Sequence, residues 1–151
     1  MVFLLSIFKR KERLLLPSIS HITFIVKNLE RSSNMLKNVF GAKEIYSSEA
    51  IQFSVHPEKF FLLDSLWIAL MEDPTVDLPK SYNHIAFNIP ISELEGYRSR
   101  IKKAGLKIEK GRSRITGEGE SIYFYDYDNH LFELHTGSLE ERLTKYNSCQ
   151  D

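Results

Sequence analysis

The sequence predicts an α+β domain made of two copies of one βαβββ unit, with its sheet curved around a cavity. Two observations carry the duplication. Ser20-His21-Ile22-Thr23-Phe24-Ile25-Val26 is echoed by Asn83-His84-Ile85-Ala86-Phe87-Asn88-Ile89, and each opens on a polar residue followed by His. A helical pattern then closes on glycine at a matching distance, 20 residues in one half (21 to 41) and 21 in the other (84 to 105).

The two echoed segments are rich in β-branched and aromatic residues, as strands are. The first helix is expected from about Leu29 to Phe40, with Leu29, Leu36, Val39 and Phe40 apolar and Gly41 as its stop. The second opens with Ser92 and Glu95 in capping-box spacing, aligns Leu94, Tyr97, Ile101 and Ala104 on one face, and stops at Gly105. Three short strands should follow each helix. In the first half they fall near Lys43–Tyr46, Ile51–Val55 and Leu66–Met71, and in the second near Lys107–Glu109, Ser121–Tyr125 and Leu131–His135. A final helix is expected to open at Ser138 and Glu141, again in capping-box spacing.

At 151 residues, 42% hydrophobic and 26% charged, the chain has the size and composition of one globular domain. Its formal net charge is zero and no basic stripe is apparent, which argues against nucleic acid as a partner. The lone Cys149 excludes an internal disulfide framework and fits a reducing cytoplasm. Val2 to Phe8 is apolar, but seven residues fall far short of the roughly 20 that span a bilayer. The basic run from Lys9 to Arg13 follows that stretch, whereas a signal peptide carries its charges before it. No membrane association is therefore expected. Residues 1–17 are read as a poorly ordered N-terminal extension, 18–147 as the domain (halves about 18–80 and 81–147), and 148–151 as a tail.

Side chains alternate between the two faces of a strand. Ile22, Phe24 and Val26 share one face, leaving His21, Thr23 and Ile25 on the other. Ile85, Phe87 and Ile89 likewise oppose His84, Ala86 and Asn88, and Ile122 and Phe124 oppose Ser121, Tyr123 and Tyr125. The apolar faces should pack under the helices, and the mixed faces should line a polar cavity. Glu133 stands mid-strand in His130-Leu131-Phe132-Glu133-Leu134-His135, where a carboxylate has little reason to sit unless paired or bound. Its first-half equivalent falls near Leu70, which cannot ligate. Two histidines at equivalent repeat positions, His21 and His84, plus Glu133 make a candidate metal site. Three protein ligands leave coordination positions open, as a catalytic ion requires. The cavity is thus read as a metal cavity.

Several runs resemble the vicinal oxygen chelate (glyoxalase/bleomycin resistance/dioxygenase) superfamily, and within it the fosfomycin-resistance proteins. They are Ser20–Thr23, Tyr82–Phe87, Gly117–Asp126, Asp128–His135 and Gly137–Leu143, and the last two are the most specific. The resemblance spans roughly residues 18–147. It is strongest to the hydrolytic, FosX-type epoxide hydrolases through Pro57-Glu58-Lys59-Phe60-Phe61-Leu62. That class carries a general-base Glu in this segment, here Glu58 in a loop, and the thiol-transferring classes lack it.

The resemblance implies Mn²⁺ on His21, His84 and Glu133. Ligand chemistry alone equally admits Fe²⁺, Co²⁺, Ni²⁺ or Zn²⁺. It further implies hydrolysis of the fosfomycin epoxide to an inactive diol, conferring antibiotic resistance, with Glu58 taking a proton from the attacking water. Arg142, nine residues after Glu133, is the foremost phosphonate partner, with Arg114 weaker. Tyr123, Ser121 and Thr23 match substrate-contacting positions, and Trp67 is expected to wall the epoxide methyl. His56, His130 and His135 receive no role, although His135 shares a face with Glu133. Homodimers with sites shared between subunits are the family habit. Pro57 departs from the family beside the proposed base and restricts that segment. Two rival readings remain open: a transferase adding glutathione, cysteine or bacillithiol to the epoxide, and a non-catalytic drug-binding protein on the same scaffold.

Overall fold

The computed structural model describes residues 17–149, so the expectations for the N-terminal extension and the end of the tail fall largely outside the described residues. Both halves have the same topology. In the first, β1 (His21–Val26) lies parallel to β4 (Leu66–Glu72), which continues antiparallel to β3 (Glu58–Leu63) and then β2 (Lys43–Ser47). In the second, β5 (His84–Asn88) lies parallel to β8 (Leu131–His135), followed by β7 (Ser121–Tyr125) and β6 (Ile108–Glu109). The expected α+β duplication is therefore present as two four-stranded mixed sheets, β1-β4-β3-β2 and β5-β8-β7-β6.

The helices obey their end signals with one exception. Helix α1 (Leu29–Met35) is capped by Asn28, whose Oδ1 accepts from the Arg31 amide at 2.7 Å, and by Glu72, which accepts from the Leu29 amide at 2.7 Å. It runs on as a π turn (Leu36–Phe40) and ends at Gly41, whose φ of 72° lies in the left-handed region. Helix α2 (Leu94–Lys103) buries Leu94 and Ile101 with Tyr97 and Ala104 packed beside them, as their spacing predicts. The expected Ser92–Glu95 capping box does not form. Pro90 turns the chain early into a 3-10 turn (Ile91–Glu93) closed by the Glu93 amide on the Pro90 carbonyl, which places Ser92 inside the turn rather than at the helix N-cap. Helix α3 (Leu139–Ser148) does carry its box: Ser138 Oγ accepts from the Glu141 amide and Glu141 accepts from the Ser138 amide. Among the described residues no helix is long and apolar enough to cross a membrane.

One expected strand is misplaced. Residues 51–55 form no strand, and Ile51, Phe53 and Val55 stand 63%, 80% and 82% exposed. The third strand position is taken by β3, which pairs on both edges with β2 and β4 and so fills the place the alternating Ile51-Phe53-Val55 run was expected to take. Glu58 is thereby the first residue of a strand rather than a loop residue. Pro57 precedes it, where a missing N–H breaks no ladder bond, and the Pro57 carbonyl accepts from the Glu72 amide at 2.8 Å.

A single core unites the halves. Phe24 and Val26 from β1, Phe61, Ile68 and Leu70 from β3 and β4, and Ile122, Phe124, Phe132 and Leu134 from β7 and β8 belong to one buried cluster. Phe40, at the end of the π turn, holds the halves together. Its ring lies 5.3, 6.0 and 5.4 Å from those of Phe87, Phe124 and Phe132, all in the second sheet. Phe40→Ala should therefore cost about 3–5 kcal/mol, the usual range for a buried aromatic. Urea denaturation would measure this, and a loss below about 1 kcal/mol would show that the halves do not depend on this ring.

Candidate functional site

Register decides which candidates share a face, because residues paired across strands point to the same side. On the first sheet the face away from the core has three rows: His21, Trp67 and Leu62; Thr23, Ala69 and Phe60; Ile25, Met71 and Glu58. On the second the rows are His84, Leu131 and Tyr125; Ala86, Glu133 and Tyr123; Asn88, His135 and Ser121. The expected site residues thus divide between two equivalent faces. His21, Thr23, Glu58 and Trp67 occupy one, and His84, Glu133, Ser121 and Tyr123 the other.

The same rows correct one expectation. The first-half equivalent of Glu133 is Ala69, which pairs with Thr23 as Glu133 pairs with Ala86. Leu70 is one residue on and turns into the core. Glu58, in turn, occupies the row position that Ser121 holds in the second sheet.

The second-sheet cluster is built around Glu133, which is 5% exposed. His84 Nε2 lies 2.9 Å from Glu133 Oε2. The Tyr82 carbonyl, 2.7 Å from His84 Nδ1, can only accept, so Nδ1 carries a proton and Nε2 is the ring atom turned toward Glu133. Arg114 Nη2 donates to Glu133 Oε1 at 2.9 Å, to Ser121 Oγ at 2.6 Å and to Tyr123 Oη at 3.1 Å. Ser121 Oγ donates to Glu133 Oε1 at 2.5 Å.

Burial works to raise the pKa of Glu133, but the hydrogen bonds from Ser121 and Tyr123 and the charges of Arg114 and His84 overcome it. The carboxyl is held below its ordinary value. Burial pushes the Tyr123 hydroxyl well above its usual range, with Tyr82 and Glu133 acting in the same direction, so it stays a neutral donor.

His135, which received no role from sequence, joins this network. Its Nδ1 lies 2.8 Å from Ser121 Oγ and its Nε2 lies 3.3 Å from Arg142 Nη2. Burial lowers its pKa first, with Arg114 adding to the effect. A neutral ring protonated at Nδ1 accepts from Arg142 at Nε2. The only sequence signal for this was the shared face with Glu133. His130, by contrast, bonds Asp126 at 2.7 Å and packs edge-on against Phe24, a turn-stabilising role.

Arg114 reaches the cluster because the chain between β6 and β7 passes very close to the β8–α3 junction. A Cβ at Gly119, where φ is 79°, would stand 2.6 Å from the Gly137 amide nitrogen. Only glycine fits there.

On the first sheet, His21 is exposed and rests against Trp67, ring centroids 4.3 Å apart. His21 does not join His84 and Glu133. Among the described residues no three His, Cys, Asp or Glu side chains gather into a metal site. The donor chemistry nevertheless fits a divalent ion at His84 and Glu133. Neighbouring ligands of one octahedral ion stand roughly 3 Å apart, close to the 2.9 Å separation of Nε2 and Oε2. A cleft of about 290 Å³ opens here, lined by His84, Ala86, Glu133, His135 and Arg142 among others. Two buried polar atoms without partners belong to candidate residues on the two faces, Trp67 Nε1 and Arg114 Nη1. Unpaired buried donors call for an explanation, and groups kept free for a ligand provide one.

Comparison with known proteins agrees with this architecture. The fosfomycin resistance protein FosX of Listeria innocua is 52% identical over 132 residues, covering 87% of this chain and 98% of the relative. A crystal structure of a glutamate-to-glutamine mutant of FosX from Listeria monocytogenes, complexed with Mn(II) and 1S,2S-dihydroxypropylphosphonic acid, superposes with a TM-score of 0.81 at 51% identity. It covers 86% of this chain and 99% of that one. The metallothiol transferase FosB of Shouchella clausii is more distant, at 39% identity over 85% of this chain and 86% of its own length. A family sequence model for the Glyoxalase/Bleomycin resistance protein/Dioxygenase superfamily matches residues 18–134, and the chain belongs to that superfamily.

Proposed function

We propose that this chain is a Mn²⁺-dependent fosfomycin epoxide hydrolase that opens the drug to an inactive diol and so confers antibiotic resistance. One observation carries the reaction type. The FosX relative at 51% identity binds a dihydroxypropylphosphonic acid, the vicinal diol that adding water across a propyl-phosphonate epoxide produces.

The roles are those the family resemblance implies, and the grouping of residues on the two faces supports them. His84 and Glu133 hold the ion, with His21 as the third ligand. The bound ion supplies Lewis acidity that stabilises negative charge on the epoxide oxygen as its C–O bond breaks. Glu58 removes a proton from water as the oxygen of that water bonds to the carbon next to phosphorus, and the released epoxide oxygen then takes up a proton to complete the diol. Arg142 and Arg114 pair with the phosphonate oxygens. Ser121, Tyr123 and Thr23 offer hydroxyl donors, and Trp67 walls the methyl group.

His21, Thr23, Glu58 and Trp67 lie on one sheet and the other groups on the second sheet or in the loop and helix beside it, so we read the working enzyme as a homodimer. The first sheet of one subunit completes the second sheet of its partner. The exposed apolar side chains of Ile51, Phe53 and Val55, close together in sequence, support this reading, because exposed apolar surface often marks an interface. A cytoplasmic location suits a resistance enzyme that meets a drug after entry.

The thiol-transferase reading draws on the FosB relative, and phosphorus NMR of fosfomycin with the protein and Mn²⁺, with and without thiol, separates the two. Diol formed equally in both samples supports hydrolysis. A thiol adduct outpacing the diol would decide for the transferase, and unaltered drug would leave only a binding protein.

Glu58→Gln should retain Mn²⁺ while diol formation falls about 10²–10⁴-fold, the worth of a general base. Undiminished hydrolysis by that variant would remove Glu58 from the mechanism. His84→Ala should lose Mn²⁺ binding, as read by electron paramagnetic resonance. Mixing His21→Ala with His84→Ala subunits should restore roughly one quarter of wild-type activity, because half of randomly mixed dimers then carry one intact site. Sites built within single chains would show no recovery.

A further inference from the structure

Glu118 is the most deeply buried carboxylate among the described residues, 1% exposed, and the mechanism above gives it no part. Every lone pair has a partner. Oε2 accepts from Arg112 Nη1 at 3.1 Å and from the Ile115 amide at 2.9 Å. Oε1 accepts from Arg112 Nη2 and from the Tyr146 hydroxyl, both at 2.5 Å. Arg112 Nη2 also reaches Tyr146 Oη at 3.2 Å, which closes a three-member ring of side chains. The Arg112 guanidinium, with Tyr146 beside it, holds the Glu118 carboxyl far below the ordinary carboxylate range, and the pair stays charged.

The location of this ring is what gives it consequence. Arg112 and Glu118 bracket the segment between β6 and β7, so their bidentate pair ties that segment into a loop with Arg114 inside it. Tyr146 belongs to α3, four residues and about one turn beyond Arg142, and therefore lies on the same side of that helix. One carboxylate thus grips both the loop that presents Arg114 and the helix that presents Arg142. Among the described residues no hydrogen bond joins the two arginines directly, and the Arg112–Glu118–Tyr146 ring ties this loop segment to α3 beyond its first turn.

We infer that Glu118, with Arg112 and Tyr146, is a positioning residue that sets the spacing of the two phosphonate-binding arginines. It acts through them and touches no substrate. This rests on the reading of Arg114 and Arg142 as phosphonate partners. A bidentate clasp between two cations depends on their separation, so loosening the ring weakens capture of the dianion while the ligands His84 and Glu133 keep their ion.

The test uses the Mn²⁺-loaded full chain and four variants. Tyr146→Phe keeps the ring of the side chain and the Arg112–Glu118 pair, so it folds with the least disturbance. Its KM for fosfomycin should rise roughly 5-fold, about the worth of one hydrogen bond of ordinary strength, with kcat and Mn²⁺ affinity unchanged within about twofold. Glu118→Gln should raise KM further, by more than about 10-fold. Arg114→Ala and Arg142→Ala serve as references. If they raise KM and both Tyr146→Phe and Glu118→Gln leave it unmoved, the positioning role is wrong. A parallel fall in kcat and Mn²⁺ affinity in Tyr146→Phe would also overturn it, by revealing general damage to the fold. If neither arginine variant moves KM, the phosphonate assignment itself fails and this inference falls with it.

Discussion

The buried carboxylate of Glu133 is the interaction on which the second sheet is organised. A charge at 5% exposure is tolerated only where hydrogen bonds and opposite charge replace its water. Ser121, Arg114, Tyr123 and His84 provide that replacement, and they come from three places: β7, the loop before it, and β5. The loop can deliver Arg114 only because Gly119 slides against Gly137 with no side chain between them. Even His135 is drawn in, since Ser121 can satisfy Glu133 only by its own hydroxyl proton and is left free to accept from the imidazole. The polar face of the second sheet therefore behaves as one network rather than as a set of separate residues.

The duplicated architecture explains why one such network exists and not two. Both halves fold with the same strand order and nearly the same register, so position for position they present the same rows. At the row where the second half has Glu133, the first has Ala69, and where the second has Tyr123, the first has Phe60. The first face is correspondingly more apolar, with Trp67, Phe60 and Met71. It keeps His21, Thr23 and Glu58 as its few polar groups. One half has become a charged, hydrogen-bonded platform, and the other an apolar wall edged with a histidine and a carboxylate. That division suits a small molecule with a charged phosphonate at one end and a methyl-bearing epoxide at the other.

Much of this was legible in the residues themselves. The alternation of Ile22, Phe24 and Val26 against His21, Thr23 and Ile25 predicted which face is buried, because the two-residue period of a strand leaves no other choice. The spans of β7 and β8 and the Ser138–Glu141 capping box were equally readable, since each depends on neighbours in sequence. The failures have the opposite character. Ile51–Val55 has the alternation of a strand, but the place between β2 and β4 goes to β3, and Ser92 has the spacing of a cap but sits in a turn that Pro90 starts early. In both cases a good local signal lost to the placement of something else.

Sequence by itself determined the duplicated fold, the exposed and buried faces of its strands, and the residue types able to hold an ion, because periodicity and repetition are local properties. Only the tertiary structure decided which of those residues meet. Glu133 and Leu70 looked like repeat partners until the register moved the match to Ala69. His135, Glu118, Arg112 and Tyr146 gained their parts from chain segments brought together by folding. The division of the candidate site between two sheets is likewise a matter of pairing. Hydrogen-bond ladders hold His84 within reach of Glu133 and set His21 on a separate sheet beside Trp67, and no spacing along the chain records that choice.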